Sequence, residues 1–417
     1  MSPSRYDVGA VRRDYPVLRR RVGGKRLVYL DSACTALKPR QTAEALRDFY
    51  LSSGGCGGRR STHRLAREAE AALRAAREEA AVFIGAASPE EIVLTSGTTG
   101  AANLLARAFP YTAKRREVVV TELEHNSVLL PFHALAERGE IRLRVCPAPG
   151  GRLDLEALER LVTERTALVA FTRASNVAGG VTPAAEVVRI ARRRGAQTFV
   201  DDAQYLLTHE EDVRALGADY AAFSAHKLGG PFGFGVLYGR RERLRRLGVA
   251  AVGGGTVHSV AGGPRGLRVR WLDAPARLEP GVPDFGGAAA FAAALRVRRA
   301  LPAAALRAHV AGLVRRLVAG LERFRELRPL GASAELEKGA LVSLLPAGAG
   351  FSPADFALFL DHELPGRIVS VRAGEHCAHL LHRRLGVDAT VRVSFGPYST
   401  TGEVDDFLDA LDVFVNS

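Results

Sequence analysis

Between residues 91 and 239 the chain alternates two patterns. Short apolar, often β-branched runs occur at EIVLT (91–95), EVVVTE (117–122), ALVAFT (167–172), QTFVDDA (197–203), YAAFSA (220–225) and FGVLYG (234–239). Continuous apolar runs of this length predict strands buried on both faces. Between and around them TTGAANLLARAF, SVLLPFHALAERG and PAAEVVRIARRRG read as helices. Such alternation predicts an α/β fold with a mostly parallel sheet covered by helices on both faces. Ligands bind such sheets at the carboxyl ends of the strands, so polar residues there are the first candidates for chemistry.

The flanking patterns differ. HRLAREAEAALRAAREEAAVFIG (63–85) predicts a long helix supported by opposite charges four residues apart. Residues 240–285 are rich in glycine, proline and turn signals, and read as an excursion over the active site or a subunit contact. From about 286 the pattern becomes helix, strands, helix, which suits a smaller α+β domain. We therefore expect a large domain over 26–295, and a small domain made of 1–25 and 296–417; a chain of 417 residues accommodates both.

Composition narrows the classes. No apolar run reaches about 18 residues, which predicts no membrane span, and the first residues lack a secretory apolar core. The four cysteines, at 34, 56, 146 and 377, are widely separated with no CxxC spacing; they read as single thiols in a reducing cytoplasm, with no metal site. The net charge of +13 is spread along the chain without a long basic block, so it reads as solvated helix faces rather than a nucleic-acid surface. Lysine supplies only five of the 58 basic residues. Lys25, Lys38, Lys114 and Lys338 read as surface positions, whereas Lys227 lies in the small, uncharged stretch SAHKLGGP. Burial there disfavours the ammonium and exposes a nucleophilic amine.

Other candidates follow the strand ends. SGTTGAAN (96–103) opens a helix after a strand, which makes it a phosphate cradle with Ser96, Thr98 and Thr99 as donors, or an ordinary cap. Asp201 in VDDAQ is either a partner for a protonated pyridine nitrogen, or a helix cap or surface acid. His125 in LEHNS can stack on a cofactor ring and handle protons, and Asn176 in SNVAGG offers an amide. Ser224 and His226 add phosphate donors beside Lys227. In VRAGEHCAH (371–379), Cys377 has His376, His379 and Arg372 nearby, and cationic neighbours favour a reactive thiolate. Arg392 in TVRVSF can clamp a carboxylate with two parallel hydrogen bonds, or face solvent from its strand.

The ordered series YLDSACTALKP, SGTTGAAN, LEHN, SNVAGG, VDDAQ, SAHKLGGPFGFG, RAGEHCAH and VRVSFGPYST resembles the class V aminotransferase group of fold-type I pyridoxal-phosphate enzymes. Within that group it most resembles the Suf-type (group II) cysteine desulfurases and selenocysteine lyases. The resemblance implies that Lys227 holds pyridoxal 5'-phosphate as a Schiff base. It further implies that Asp201 pairs with the ring nitrogen, His125 stacks on the ring, and Asn176 and Gln204 contact the ring hydroxyl. Thr98, Thr99, Ser224 and His226 would hold the phosphate, Arg392 with Asn176 the substrate, and Cys377 would accept sulfur as a persulfide while L-cysteine becomes L-alanine. A homodimer with the 250–285 loops at the contact is implied, as is a sulfur-acceptor protein.

Several positions depart from that pattern. Glu375 stands where GHHCA has histidine, Val282 where a threonine reaches the partner subunit's phosphate, and Asp202 where VDGAQ has glycine. Phe232 replaces a small polar residue, and Arg59 precedes Arg60 where histidine is common. A second reading keeps pyridoxal phosphate without using Cys377: a C–S lyase, selenocysteine lyase or epimerase of secondary metabolism. A third is a non-catalytic scaffold or basic nucleic-acid-binding protein on the same fold, which the Lys227, Asp201 and His125 set opposes.

Overall fold

The computed structural model describes residues 6–58, 61–264, 266–348 and 350–416. Arg59 and Arg60 lie outside them.

Seven strands form the central sheet: β1 (Ile92–Thr95), β2 (Glu117–Thr121), β3 (Arg142–Cys146), β4 (Thr166–Thr172), β5 (Gln197–Asp201), β6 (Tyr220–Ser224) and β7 (Gly235–Gly239). Their order is β1-β7-β6-β5-β4-β2-β3. β3, β2, β4, β5 and β6 run parallel, and β7 is antiparallel to both β6 and β1. The fold is α/β, as the alternation predicts, and the two antiparallel pairings leave the sheet mostly parallel. Every residue of β2, β4, β6 and β7 is buried, which accounts for their unbroken apolar runs.

Helices cover both faces. Arg64–Phe83 buries Ala66, Ala69, Leu73, Ala76 and Ala80, a three-and-four spacing that presents one face to the sheet. With Ala184–Arg193 and Phe285–Ala300 it closes one core. Thr98–Ala108 and Asn126–Glu137 close the other. His63 caps the long helix by accepting the Ala66 N–H at 3.2 Å.

A third core joins the chain ends. Helices Ala303–Leu321 and Thr401–Val415 pack on the strands Leu341–Pro346 and Thr390–Ser394. The N-terminal segment is tied to this unit: Arg12 pairs with Glu403 at 3.0 Å and Tyr6 Oη donates to Pro397 O at 2.7 Å. Val28 and Leu30 belong to the same core, and the strand Lys25–Tyr29 pairs in parallel with Arg367–Ser370. We therefore propose that the N-terminal domain boundary falls just after Leu30, rather than at 26.

The 240–285 excursion contains an antiparallel hairpin, Val257–Gly263 with Gly266–Trp271, which turn composition alone did not predict. Nearly all of its residues are exposed. Among the described residues no helix is long and apolar enough to cross a membrane, and no group of histidine, cysteine and carboxylate side chains is arranged to hold a metal.

Candidate active site

The site is assembled at the carboxyl ends of β4, β5 and β6, where the central strands point toward the third core. Asp201 ends β5, and Ser224 ends β6 just before the short turn Ala225–Leu228 that carries Lys227. Asp201 is buried, and its Oδ1 accepts the Ala203 N–H at 2.9 Å. Lost hydration pushes the Asp201 carboxyl up, while Lys227 opposes the shift. The Lys227 amine is pushed down by the same cause, with Asp201 opposing. The two groups therefore sense each other, yet they form no direct ion pair. A protonated aromatic nitrogen between them would satisfy the buried acid and leave the amine free to attack.

One end of the site is a turn and a helix N-terminus. Gly97 takes φ +101°, which favours glycine, and precedes the helix Thr98–Ala108. Ser224 Oγ accepts the Thr98 N–H at 2.9 Å and lies 3.0 Å from Thr98 Oγ1. Thr99 Oγ1 is 2.7 Å from Ser127 Oγ. His226 has a buried Nδ1 without a partner, and its ring stacks with that of Phe232 at 5.7 Å. An unpartnered ring nitrogen beside these hydroxyls fits an anionic group with several acceptor oxygens.

His125 caps the helix Asn126–Glu137. Its Nδ1 accepts the Ser127 N–H at 3.1 Å and lies 2.8 Å from Ser127 Oγ. With Nδ1 accepting, the neutral ring carries its proton on Nε2. Burial, then the charges of Lys227 and Arg392, push its pKa down to about 4. The ring is therefore neutral at physiological pH. Gln204 Nε2 donates to Ala33 O at 2.7 Å, and Asn176 Nδ2 donates to His376 O at the same distance.

Arg392 is buried in the strand Thr390–Ser394. Its Nη1 donates to Asn176 O at 3.1 Å and its Nη2 to Asp31 Oδ1 at 3.3 Å, leaving Nε unpartnered. Arg372 holds the other Asp31 oxygen at 2.8 Å. A buried guanidinium with a donor still free suits a small carboxylate.

Cys377 is exposed at the tip of its loop. His376 and Cys377 take φ +51° and +56°, two successive left-handed residues that are not glycine. Each costs about 1 kcal/mol or more. The bend is held by the bond from Asn176, by the Asn126 N–H donating to Cys377 O at 2.8 Å, and by the contact of His376 Nε2 with Thr390 Oγ1 at 3.0 Å. Of the three neighbours that the sequence suggested, one is neutral and two lie against carboxylates. Burial drives the His376 pKa down to about 3, so that ring is neutral. His379 lies 3.1 Å from Glu375, and Arg372 is engaged by Asp31.

Two further features differ from the sequence reading. Lys38 is half-buried rather than a surface residue. Its Nζ donates to Thr35 Oγ1 at 2.9 Å, Ala36 O at 2.7 Å and His226 O at 3.0 Å, and burial pushes its pKa down to about 8. Asp31, which joins Arg372 and Arg392, was not singled out: the strand pairing that places it beside Ser394 spans most of the chain.

Residues 28–407 match the model of the family described as Aminotransferase class-V. The chain belongs to the aminotransferase class-V family. A cysteine desulfurase of Dickeya dadantii is 38% identical over 403 residues, which cover 96% of this class-V chain and 95% of the relative. A probable cysteine desulfurase of Streptomyces coelicolor is 35% identical, covering 98% of this chain and 97% of its own. Among solved structures, the cysteine desulfurase CsdA of Escherichia coli superposes with a TM-score of 0.87 at 31% identity, covering 99% of each chain. The apo cysteine desulfurase of Thermococcus onnurineus gives 0.88 at 33% identity, covering 100% of each. These class-V relatives share the fold over the whole chain, small domain included.

Proposed function

We propose that this chain is a pyridoxal-phosphate-dependent cysteine desulfurase that converts L-cysteine to L-alanine and leaves the sulfur as a persulfide on Cys377. The observation that carries the reading is the Lys227 amine, its proton affinity lowered by burial, within electrostatic range of Asp201, a buried acid that forms no ion pair, with a strained thiol loop held at the same site. The full-length likeness to cysteine desulfurases supports it.

The residues present fit the cofactor. Asp201 would hold the ring nitrogen, His125 would lie against the ring, and Asn176 and Gln204 would sit near the ring hydroxyl. Thr98, Thr99, Ser224 and His226 would hold the phosphate. When bound, pyridoxal phosphate supplies an electron sink for the substrate α-carbon. The chain's own residues do the rest. Arg392 Nε and the Asn176 amide orient the substrate carboxylate. The Lys227 amine, kept low in proton affinity by burial, receives the α-proton. Neutral His125 keeps charge off that face of the site, and Cys377 Sγ takes the substrate sulfur. Fixed placement of these groups supplies much of the rate.

We further propose a homodimer joined through the exposed 250–285 region, a protein acceptor for the persulfide sulfur, and a cytoplasmic setting suited to four free thiols.

Product analysis tests the reading. The holoenzyme with L-cysteine should give alanine and, with a thiol reductant, an equal amount of sulfide. Lys227→Ala should lose the imine absorbance and at least about 1000-fold of the rate. Arg392→Lys should raise KM roughly tenfold or more while keeping that absorbance. Cys377→Ala should keep the cofactor and lose sulfide release. Undiminished sulfide from that variant favours the second reading, a C–S lyase independent of Cys377.

A further inference from the structure

A second thiol stands at the site. Cys34 is a free, half-buried cysteine on the loop that follows the strand Lys25–Tyr29. The backbone on both sides of it is tied to residues already described. The Ala33 N–H donates to Ser394 Oγ at 2.9 Å, and Ala33 O accepts from Gln204 at 2.7 Å. On the other side, the Ala36 N–H and Thr35 Oγ1 both donate to His226 O, at 3.1 and 3.0 Å. Cys34 Sγ itself makes no hydrogen bond among the described residues.

One guanidinium joins the two cysteine loops. Arg392 reaches Asp31, three residues before Cys34, and Asn176 O; Asn176 in turn holds His376 O, next to Cys377. Both thiols lie within electrostatic range of the Lys227 amine. Cys34 is also within range of Lys38, Arg372 and Arg392. Of the cations that the sequence suggested around Cys377, Arg372 alone is among these, and Asp31 pairs with both Arg372 and Arg392.

We propose that Cys34 and Cys377 work as a dithiol, in which Cys34 resolves the persulfide formed on Cys377. This rests on the desulfurase reading and extends it. The Cys34 thiolate attacks Sγ of Cys377, and a Cys34–Cys377 disulfide forms. The S–S bond of the persulfide breaks, and its terminal sulfur leaves with the electron pair as hydrosulfide. The proton given up by Cys34 completes hydrogen sulfide. Cys34 sulfur is oxidised by one electron and the departing sulfur is reduced by one, so no outside oxidant enters. A low-molecular-weight thiol or dithiol reductant then reopens the disulfide for the next turnover. The enzyme would release sulfide without a protein acceptor on the first turnover and stall afterwards unless a reductant is present.

The test uses anaerobic holoenzyme, one equivalent of L-cysteine and no reductant, followed by acid quench, alkylation, intact mass and peptide mapping. The wild type should form alanine, release sulfide, lose about 2 Da and yield a cross-linked pair of Cys34 and Cys377 peptides. Cys34→Ala, with Cys34→Ser as a second variant, should gain about 32 Da on Cys377 instead and release at least tenfold less sulfide. Imine absorbance in each variant reports folding and cofactor loading. Wild-type protein that forms alanine but carries the extra sulfur on Cys377 with no cross-link overturns the dithiol and leaves the desulfurase reading intact. If it forms no alanine, the desulfurase reading fails, and the dithiol with it. The wild-type cross-link decides the matter even if both variants lose their cofactor.

Discussion

His209 and His376 show how far burial moves single residues in this fold. Lost hydration pushes their pKa values down to about 4 and about 3. In the unfolded chain both titrate near 6.5. The unfolded state therefore binds more protons, and stability contributed by the neutral rings is complete above pH 6.5 and is lost as pH falls toward 4 and 3. Below pH 6 the wild type should lose up to about 1.4 kcal/mol per pH unit for each ring, less in practice because both are partly exposed. Urea unfolding of the His209→Gln, His376→Gln double variant should show a shallower acid slope; an identical slope rules out the account. Residue chemistry was legible where local composition isolates it. Lys227 stood out because lysine is scarce and its neighbours are small. Lys38 and Asp31 did not, because what makes them unusual is contact with His226, Arg372 and Arg392, which are far away in sequence.

At the scale of elements, the turn at Gly97 depends on the strand beside it. A Cβ at Gly235 in β7 would lie 2.5 Å from Gly97 Cα and 2.6 Å from Phe223 O, both backbone atoms that cannot swing aside. Gly235→Ala should therefore push the turn away from Ser224 and weaken pyridoxal-phosphate binding about tenfold or more, measured by titrating cofactor into apoprotein. Affinity within twofold of wild type would mean that the turn adjusts freely. The six apolar runs became strands because both of their faces are covered. β3 escaped notice for the opposite reason: at the edge of the sheet, Arg142 and Arg144 interrupt its apolar pattern. The reversed direction of β7 was also illegible, since a run of apolar residues carries no sign of which way it points.

Across the whole molecule, the exposed hairpin Val257–Gly263 and Gly266–Trp271 is the feature least explained by one chain. Leu267 is 75% exposed, and Val260 and Trp271 are also open to solvent. Apolar side chains on a protruding hairpin suit a contact with a second copy. The holoprotein should sediment at about twice the 44.6 kDa chain mass, and Leu267→Asp should shift it toward monomer. A wild type that sediments as a single chain would remove the dimer proposal. Six of the seven central strands, the isolated lysine at 227 and the acid at a strand end were written locally, in hydrophobic period and residue scarcity. Which residues meet was decided only by folding. A parallel sheet gathers the ends of strands remote in sequence, and the packing of the chain ends brings Asp31 from one end of the chain to Arg392 and Ser394 at the other. Such contacts leave no local period for a sequence to display, because burial and electrostatic environment belong to the packed chain.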